Sequence, residues 1–282
     1  MKVISTEHSQ VLATRVARAL KAPLVEVKSA RFPDGEHYLK TGDLDDETII
    51  IGSIPDNDAI VELLLLIDAC GDSTVRLVLP YMAYARQDKQ FKKGEPLSAR
   101  AIAKALSRGV SDVTTINIHD PGVLAHFSVP AKNISLSGDI GTYLGTLGLE
   151  KPLILAPDDG ALKFAEGVAA TGGWEFDYLE KTRVSGTEVL MAPKELSAAS
   201  RSVVIVDDII STGGTIATAA GMLHHQDAKE VCAACVHGVF TEGAYSRLIA
   251  GKVRDVICSD TIERACSRVS AAGQIAMSLK AS

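Results

Sequence analysis

The sequence predicts an α/β protein built from mainly parallel sheets flanked by helices, and it predicts that plan twice. Two observations carry this. Short apolar, β-branched runs alternate with amphipathic segments along the chain, the pattern of strands joined by helical crossovers. The order of elements also repeats: in each half a hairpin pattern is followed by an apolar strand that runs into a polar corner.

In order, Lys2–Ser5 reads as a strand and Val11–Leu20 as an amphipathic helix. Lys28–Lys40 reads as a hairpin turning at Pro33-Asp34-Gly35. Thr48–Gly52 is the next strand, and Ile49–Asp58 is its polar corner. Ala59–Ala69 follows as a helix, Val75–Leu79 as a strand, Ala99–Leu106 as a helix and Thr114–Ile118 as a strand. In the second half Leu153–Ala156 is a strand and Trp174–Met191 a hairpin. Val203–Val206, four β-branched residues in succession, reads as a buried parallel strand, and a helix follows at Thr215–Leu223. Val231–Val236 and Val253–Cys258 complete the set. Glycines cluster over Ser137–Gly148, so the expected division is residues 1–140 and 141–282, with the C-terminal helix free to pack back on the N-terminal domain.

The whole-chain properties exclude several classes. At 282 residues the chain holds one large or two ordinary domains, and 46% hydrophobic with 23% charged residues suits a well-cored globular protein. Ala59–Ala69, its richest apolar run, is broken by Glu62 and Asp68 and is too short to span a bilayer. The N-terminus moves straight into a strand pattern, so no signal peptide is expected and the location expected is cytoplasmic. A net charge of −6 argues against nucleic acid as partner but leaves room for a small anionic substrate at a local basic site. The five cysteines are odd in number and scattered; Cys232 and Cys235 lie within a buried-strand pattern and read as core packing with reduced thiols.

The most informative stretch is Val203-Val-Ile-Val-Asp-Asp-Ile-Ile-Ser-Thr-Gly-Gly-Thr-Ile216. Amides at a helix start, with the hydroxyls of Ser211, Thr212 and Thr215, suit a phosphate dianion. Gly213 and Gly214 let the backbone approach it closely. Asp207 and Asp208 have the wrong sign for phosphate; they suit sugar hydroxyls or a metal ion beside them. A sugar phosphate is therefore the expected guest. The stretch looks like the phosphoribosyl-binding loop of the type I phosphoribosyltransferase fold.

Four further segments narrow the chemistry. Arg86, in Tyr84-Ala-Arg-Gln-Asp-Lys89, can bind a polyphosphate bidentately, and Gln87 can bond a ribose or base edge. Phe32 could stack on a purine, while Asp34 and Glu36, beside Gly35, could accept from an exocyclic amine; Pro-Asp-Gly alone is equally a turn signal. His119 and Asp158 end two strands and are reasonable groups for Mg²⁺ carried by a nucleotide, which keeps most of its waters. Lys181 and Arg183 lie two residues apart on one face of a hairpin strand, where surface charge is the plain alternative.

The ordered set resembles the ribose-phosphate pyrophosphokinase family, over nearly the whole chain. The resemblance rests on Phe32-Pro-Asp-Gly-Glu36, Tyr84–Lys89, His119, Pro157-Asp158, Lys181-Thr-Arg183, Val206–Thr215 and Cys258-Ser-Asp-Thr-Ile262. It implies two tandem type I phosphoribosyltransferase-like domains, the N-terminal copy having lost its sugar-phosphate loop. It implies transfer of the β,γ-diphosphoryl group of ATP to ribose 5-phosphate with Mg²⁺. By position, Ser211–Thr215 would cradle the 5-phosphate, with Arg183 beside it, and Asp207 with Asp208 would hold the ribose hydroxyls. Phe32, Asp34, Gly35, Glu36, Arg86, Gln87 and His119 would bind ATP, His119 and Asp158 would serve the metal, and Lys181 and Arg183 would stabilise the transition state. A homo-oligomer with shared active sites is implied as well.

Two departures from the family pattern stand out. The stretch after Lys89 is Gln90-Phe-Lys-Lys-Gly-Glu-Pro96 where many members carry an Arg, and Ser211 stands where many bacterial and animal forms carry an Asp. With the short chain, these point to an archaeal-type member. Two alternatives remain at this stage: a phosphoribosyltransferase, which would leave the N-terminal half without a task, and a non-catalytic regulatory relative, which would be expected to have lost part of the constellation.

Overall fold

A computed structural model of the chain describes residues 1–183, 189–194 and 196–281, and among these the side chains of residues 181–183 and 189–192 lie outside the description. The chain divides into two compact units. The first is Met1–Ser135 with Thr261–Glu263 and Ser270–Ser282; the second is Leu136–Asp260 with Arg264–Val269.

The N-terminal unit runs β1 (Lys2–Ser5), α1 (Gln10–Leu20), β2 (Val27–Arg31), β3 (His37–Thr41), β4 (Glu47–Ile51), α2 (Asn57–Asp68), β5 (Thr74–Leu79), α3 (Ser98–Leu106), β6 (Asp112–Ile116) and β7 (Ala131–Ile134). Five strands form a parallel sheet in the order β1-β4-β5-β6-β7. Ile50, Leu63, Leu66, Leu77 and Leu79 are almost fully buried at the sheet–helix contact, as expected where helices cover continuous apolar strands. Strand β7, with the sequence Ala-Lys-Asn-Ile, escaped the sequence pattern because it is short and alternates weakly.

The C-terminal unit runs α4 (Ser137–Leu144), β8 (Leu153–Ala156), α5 (Leu162–Ala170), β9 (Glu175–Arg183), β10 (Val189–Pro193), β11 (Ser202–Ile210), α6 (Gly214–His225), β12 (Glu230–Gly238), α7 (Ala244–Ala250), β13 (Val256–Ser259) and β14 (Ser267–Val269). Its seven strands are ordered β10-β9-β8-β11-β12-β13-β14, parallel except for the β9/β10 hairpin. Cys232 and Cys235 are fully buried in β12, and all five cysteines are free and buried.

The hairpins of the two halves differ. In the C-terminal unit β9 pairs with β8, so its hairpin extends the main sheet. In the N-terminal unit β2 and β3 pair only with each other, as a separate two-stranded ribbon among the described residues.

The last helix, α8 (Ala272–Lys280), belongs to the N-terminal unit and packs on α1. The nearly buried Arg76 ties it down: Nη1 donates to the Leu279 carbonyl at 3.0 Å while Nε pairs with Asp112 at 3.0 Å. Lys132 Nζ adds a bond to the Ser278 carbonyl at 2.9 Å. Cations on the final carbonyls of a helix also offset its negative end. No helix among the described residues is long and apolar enough to cross a membrane.

Candidate functional site

The β11–α6 corner is held open by its backbone. Gly213 takes the left-handed conformation, φ +70°, immediately before α6, and no side chain caps the helix start. A Cβ at Gly213 would strain that φ and would lie 3.2 Å from Leu248 Cγ, whereas one at Gly214 would face open space. The carbonyls preceding the helix are all engaged from one side. Ile210 O accepts from Val239 N and Phe240 N, each at 3.1 Å, and Ser211 O accepts from Thr241 N at 3.1 Å. Among the described residues, the backbone amides of Ser211 to Thr215 donate to no protein acceptor. Ser211 is half-buried, Thr212 and Thr215 are exposed, and the corner thus offers unspent amides with hydroxyls around them. Unspent amides at a helix start are groups whose chemistry suits an anion.

Strand β11 runs through both acids rather than ending before them: Asp207 stands opposite Cys235 and Ile210 opposite Gly238. Asp207 and Asp208 are half-buried there. Burial chiefly, then the neighbouring Asp208 carboxylate, with Asp158 acting in the same direction, pushes Asp207 up to about 8. Asp158 follows β8, the strand next to β11, and accepts from Gly160 N at 3.1 Å. Carboxylates gathered in this way oppose one another's ionisation, and hydroxyl donors or a cation would relieve them. Among the described residues no three His, Cys, Asp or Glu side chains form a cage for a metal. A magnesium ion that keeps its waters needs only one or two carboxylates, so this donor set fits it.

The N-terminal candidates fall at two places. The β2–β3 turn closes through Phe32 N to Glu36 O and Gly35 N to Phe32 O, both 2.9 Å. Asp34 Oδ1 accepts from Glu36 N at 3.3 Å, so Asp34 has a turn role of its own. Phe32 is 49% exposed, with its ring meeting Tyr38 edge-on at 6.0 Å; Glu36 is exposed too. At the ends of β5 and β6, Arg86 and His119 are exposed. Gln87 accepts from Ser98 Oγ at 2.5 Å and donates to Pro96 O at 3.3 Å, which closes the loop between them. Asp120, next to His119, is held below the usual carboxylate range, first by the Gly122 amide at 2.6 Å and then by Asp88, Lys89 and His119. The Arg86–Lys89 stretch and His119 are therefore brought together at one end of this sheet.

Lys181 and Arg183 sit in β9, opposite Met191 and Val189, and their side chains lie outside the described residues. The segment from Val239 to Arg247, which supports the corner, carried no sequence signal. Arg247 Nη1 donates to the Thr212 carbonyl and Nη2 to the Glu242 carbonyl at 3.1 Å.

Comparison with known proteins decides the family. A model of the N-terminal domain of ribose phosphate pyrophosphokinase matches residues 1–109, and a phosphoribosyl transferase domain model matches residues 136–270. Ribose-phosphate pyrophosphokinases of Methanosarcina mazei and Methanosarcina acetivorans are 46% and 47% identical to the chain; each alignment covers 99% of it and 95% and 99% of the relative. The chain belongs to the ribose-phosphate pyrophosphokinase family.

Membership in that family makes the chain an enzyme of the transferase class. The crystal structure of phosphoribosylpyrophosphate synthetase from Mycobacterium smegmatis superposes with a TM-score of 0.86 at 27% identity, covering 99% of this chain and 97% of that one. The two-domain pyrophosphokinase architecture is therefore common to both. The N-terminal match contains the Phe32–Glu36 turn and Arg86–Gln87, and the phosphoribosyl transferase match contains Asp158, Lys181, Arg183 and the 207–215 corner. His119 falls between the two matched ranges.

Proposed function

We propose that this chain transfers the β,γ-diphosphoryl group of ATP to the anomeric hydroxyl of ribose 5-phosphate, giving phosphoribosyl pyrophosphate and AMP. The observation that supports it most is the uncapped β11–α6 corner with two carboxylates on the strand leading into it. Ser211, Thr212, Gly213, Gly214 and Thr215 take the 5-phosphate, and Asp207 and Asp208 accept from the ribose hydroxyls. Residues 1–140 carry the nucleotide-binding segments: Phe32, Asp34, Gly35 and Glu36 for adenine, Arg86, Gln87 and His119 for the rest of ATP. Residues 141–282 carry the sugar site.

Lys181 and Arg183 stabilise the charge that develops as the anomeric oxygen attacks the β-phosphorus and the bond to the α-phosphate oxygen breaks. Arg183 is also assigned to ribose 5-phosphate binding. Such transfers depend on positioning and electrostatics more than on covalent chemistry. His119 and Asp158 would hold Mg²⁺, which would supply charge neutralisation on the polyphosphate. The Phe32 turn, exposed within one chain, serves the site of a neighbouring chain in a homo-oligomer; sedimentation as a monomer under assay conditions would contradict that part. The reduced, buried thiols suit a cytoplasmic enzyme.

Incubation with ATP, ribose 5-phosphate and Mg²⁺, followed by separation of the nucleotides, tests the reaction. Sugar-dependent AMP is expected. ADP would show monophosphoryl transfer, and no turnover would favour a regulatory relative.

A further inference from the structure

We infer that Arg247 is a positioning residue for the sugar-phosphate loop, setting the direction of its amides from outside the site. The inference rests on the reading of that loop given above. It begins with the peptide unit, which is planar and trans, so its C=O and N–H point in opposite directions. Whatever fixes the carbonyl of Thr212 therefore aims the amide of Gly213.

Three successive carbonyls of the corner are fixed from one segment. Val239 and Phe240 amides hold Ile210 O, and the Thr241 amide holds Ser211 O. Arg247 holds the third, Thr212 O, and does so with a side chain. The amides of Ser211, Thr212 and Gly213 are turned the other way and join the uncapped first turn of α6. Gly213 is the loop's flexible point: it is a glycine in the left-handed region, able to flip its peptide at low cost. A flip there would replace an amide with a carbonyl at the anion.

The guanidinium is suited to prevent that flip. Its second arm reaches Glu242 O at 3.1 Å, so one planar fork joins the loop to the start of α7. That neighbouring turn is itself tightly wound, with Phe240, Glu242 and Gly243 all at positive φ. Arg264 holds the segment's beginning, donating to Gly238 O and Val239 O, each at 3.0 Å. Arg247 is exposed and lies outside the hydrophobic core, so its loss should leave the fold standing.

The test compares wild type with Arg247→Met, which keeps the aliphatic stem, and Arg247→Lys, which keeps the charge without the fork. Ribose 5-phosphate binding is measured by calorimetry and steady-state kinetics are measured for both substrates. Arg247→Met should raise the dissociation constant and KM for ribose 5-phosphate by about tenfold or more, as for loss of one charge-assisted bond. KM for ATP should stay within about twofold, melting should match wild type, and Arg247→Lys should fall between. Equal losses for both substrates, or a variant binding ribose 5-phosphate as wild type does, would overturn the inference while wild-type AMP formation still upheld the reaction. A wild type that binds no ribose 5-phosphate would overturn both.

Discussion

The chain contains two strand-to-helix corners in corresponding places, and they have been finished in opposite ways. At the β4–α2 corner the residue before the helix is Asp56, whose carboxylate accepts from Ala59 N at 3.0 Å and lies 3.4 Å from His8 Nε2. The helix start is satisfied by its own sequence. At the β11–α6 corner the same position is Gly213, with no side-chain cap. The glycines differ in kind as well. A Cβ at Gly52, just after β4, would lie 2.5 Å from Leu63 Cδ2 and 2.9 Å from Thr6 Cγ2, so that glycine serves packing. Gly213 serves backbone conformation. An uncapped start is shared by α1, α3, α4, α5, α7 and α8, so what sets the β11–α6 corner apart as the proposed anion site is its hydroxyl-rich glycine turn with two acids on the strand leading into it.

The sharpest way to break this contrast is to give the second corner the first one's cap. Gly213→Asp should weaken ribose 5-phosphate by about a hundredfold or more, because a carboxylate some 4 Å from a phosphate charge opposes it by several kcal/mol near a protein surface. Gly213→Ala carries the backbone strain without the charge, so the two variants separate the causes. Equal losses in titration would mean that strain, not charge, governs the site.

The acids upstream give the next effect. Asp207 is pushed up to about 8 against an ordinary value of 3.8, chiefly by burial. Between those two values the folded protein holds a proton that the unfolded chain has released. Stability therefore falls as pH rises towards 8 and levels off above it. Asp207→Asn removes this, and without ligands it should melt above wild type by a margin growing from pH 5 to pH 8, about 1 kcal/mol or more, roughly 3 °C. The same variant should lose activity. A melting difference independent of pH would contradict the burial of that charge.

Smallest is Asp56→Ala. It removes a helix cap, at a cost of ~1 kcal/mol, and should lower the melting temperature by roughly 2–4 °C. AMP formation should be unchanged at temperatures where the protein is folded. A raised KM for ribose 5-phosphate would show that the first corner shares in substrate binding.

Much of this was legible in the chain because the signals are local. Four β-branched residues, a pair of acids and a hydroxyl-rich glycine turn are contiguous, so strand, acids and loop could be read together. The strand's end could not. Asp207 and Asp208 look like a polar stop, yet β12 supplies ladder partners as far as Gly238, and the acids remain in the strand with Asp207's proton affinity raised. Strands β7 and β14 are edge strands too short for a periodic pattern. Likewise Arg247 acts on a carbonyl 35 positions earlier, a contact that the fold creates and no spacing announces. The bonds that join the Gln87 amide to Ser98 Oγ and Pro96 O are also made by the fold and were not legible in the spacing.

The central claim is that one corner of two is an anion site, and counting bound sugar phosphate tests it directly. Calorimetric titration of the wild type with ribose 5-phosphate should give one molecule per chain. The same stoichiometry is expected in Asp56→Ala, and binding should be lost or greatly weakened in Gly213→Asp. Two molecules per chain, or unchanged binding in Gly213→Asp, would contradict it.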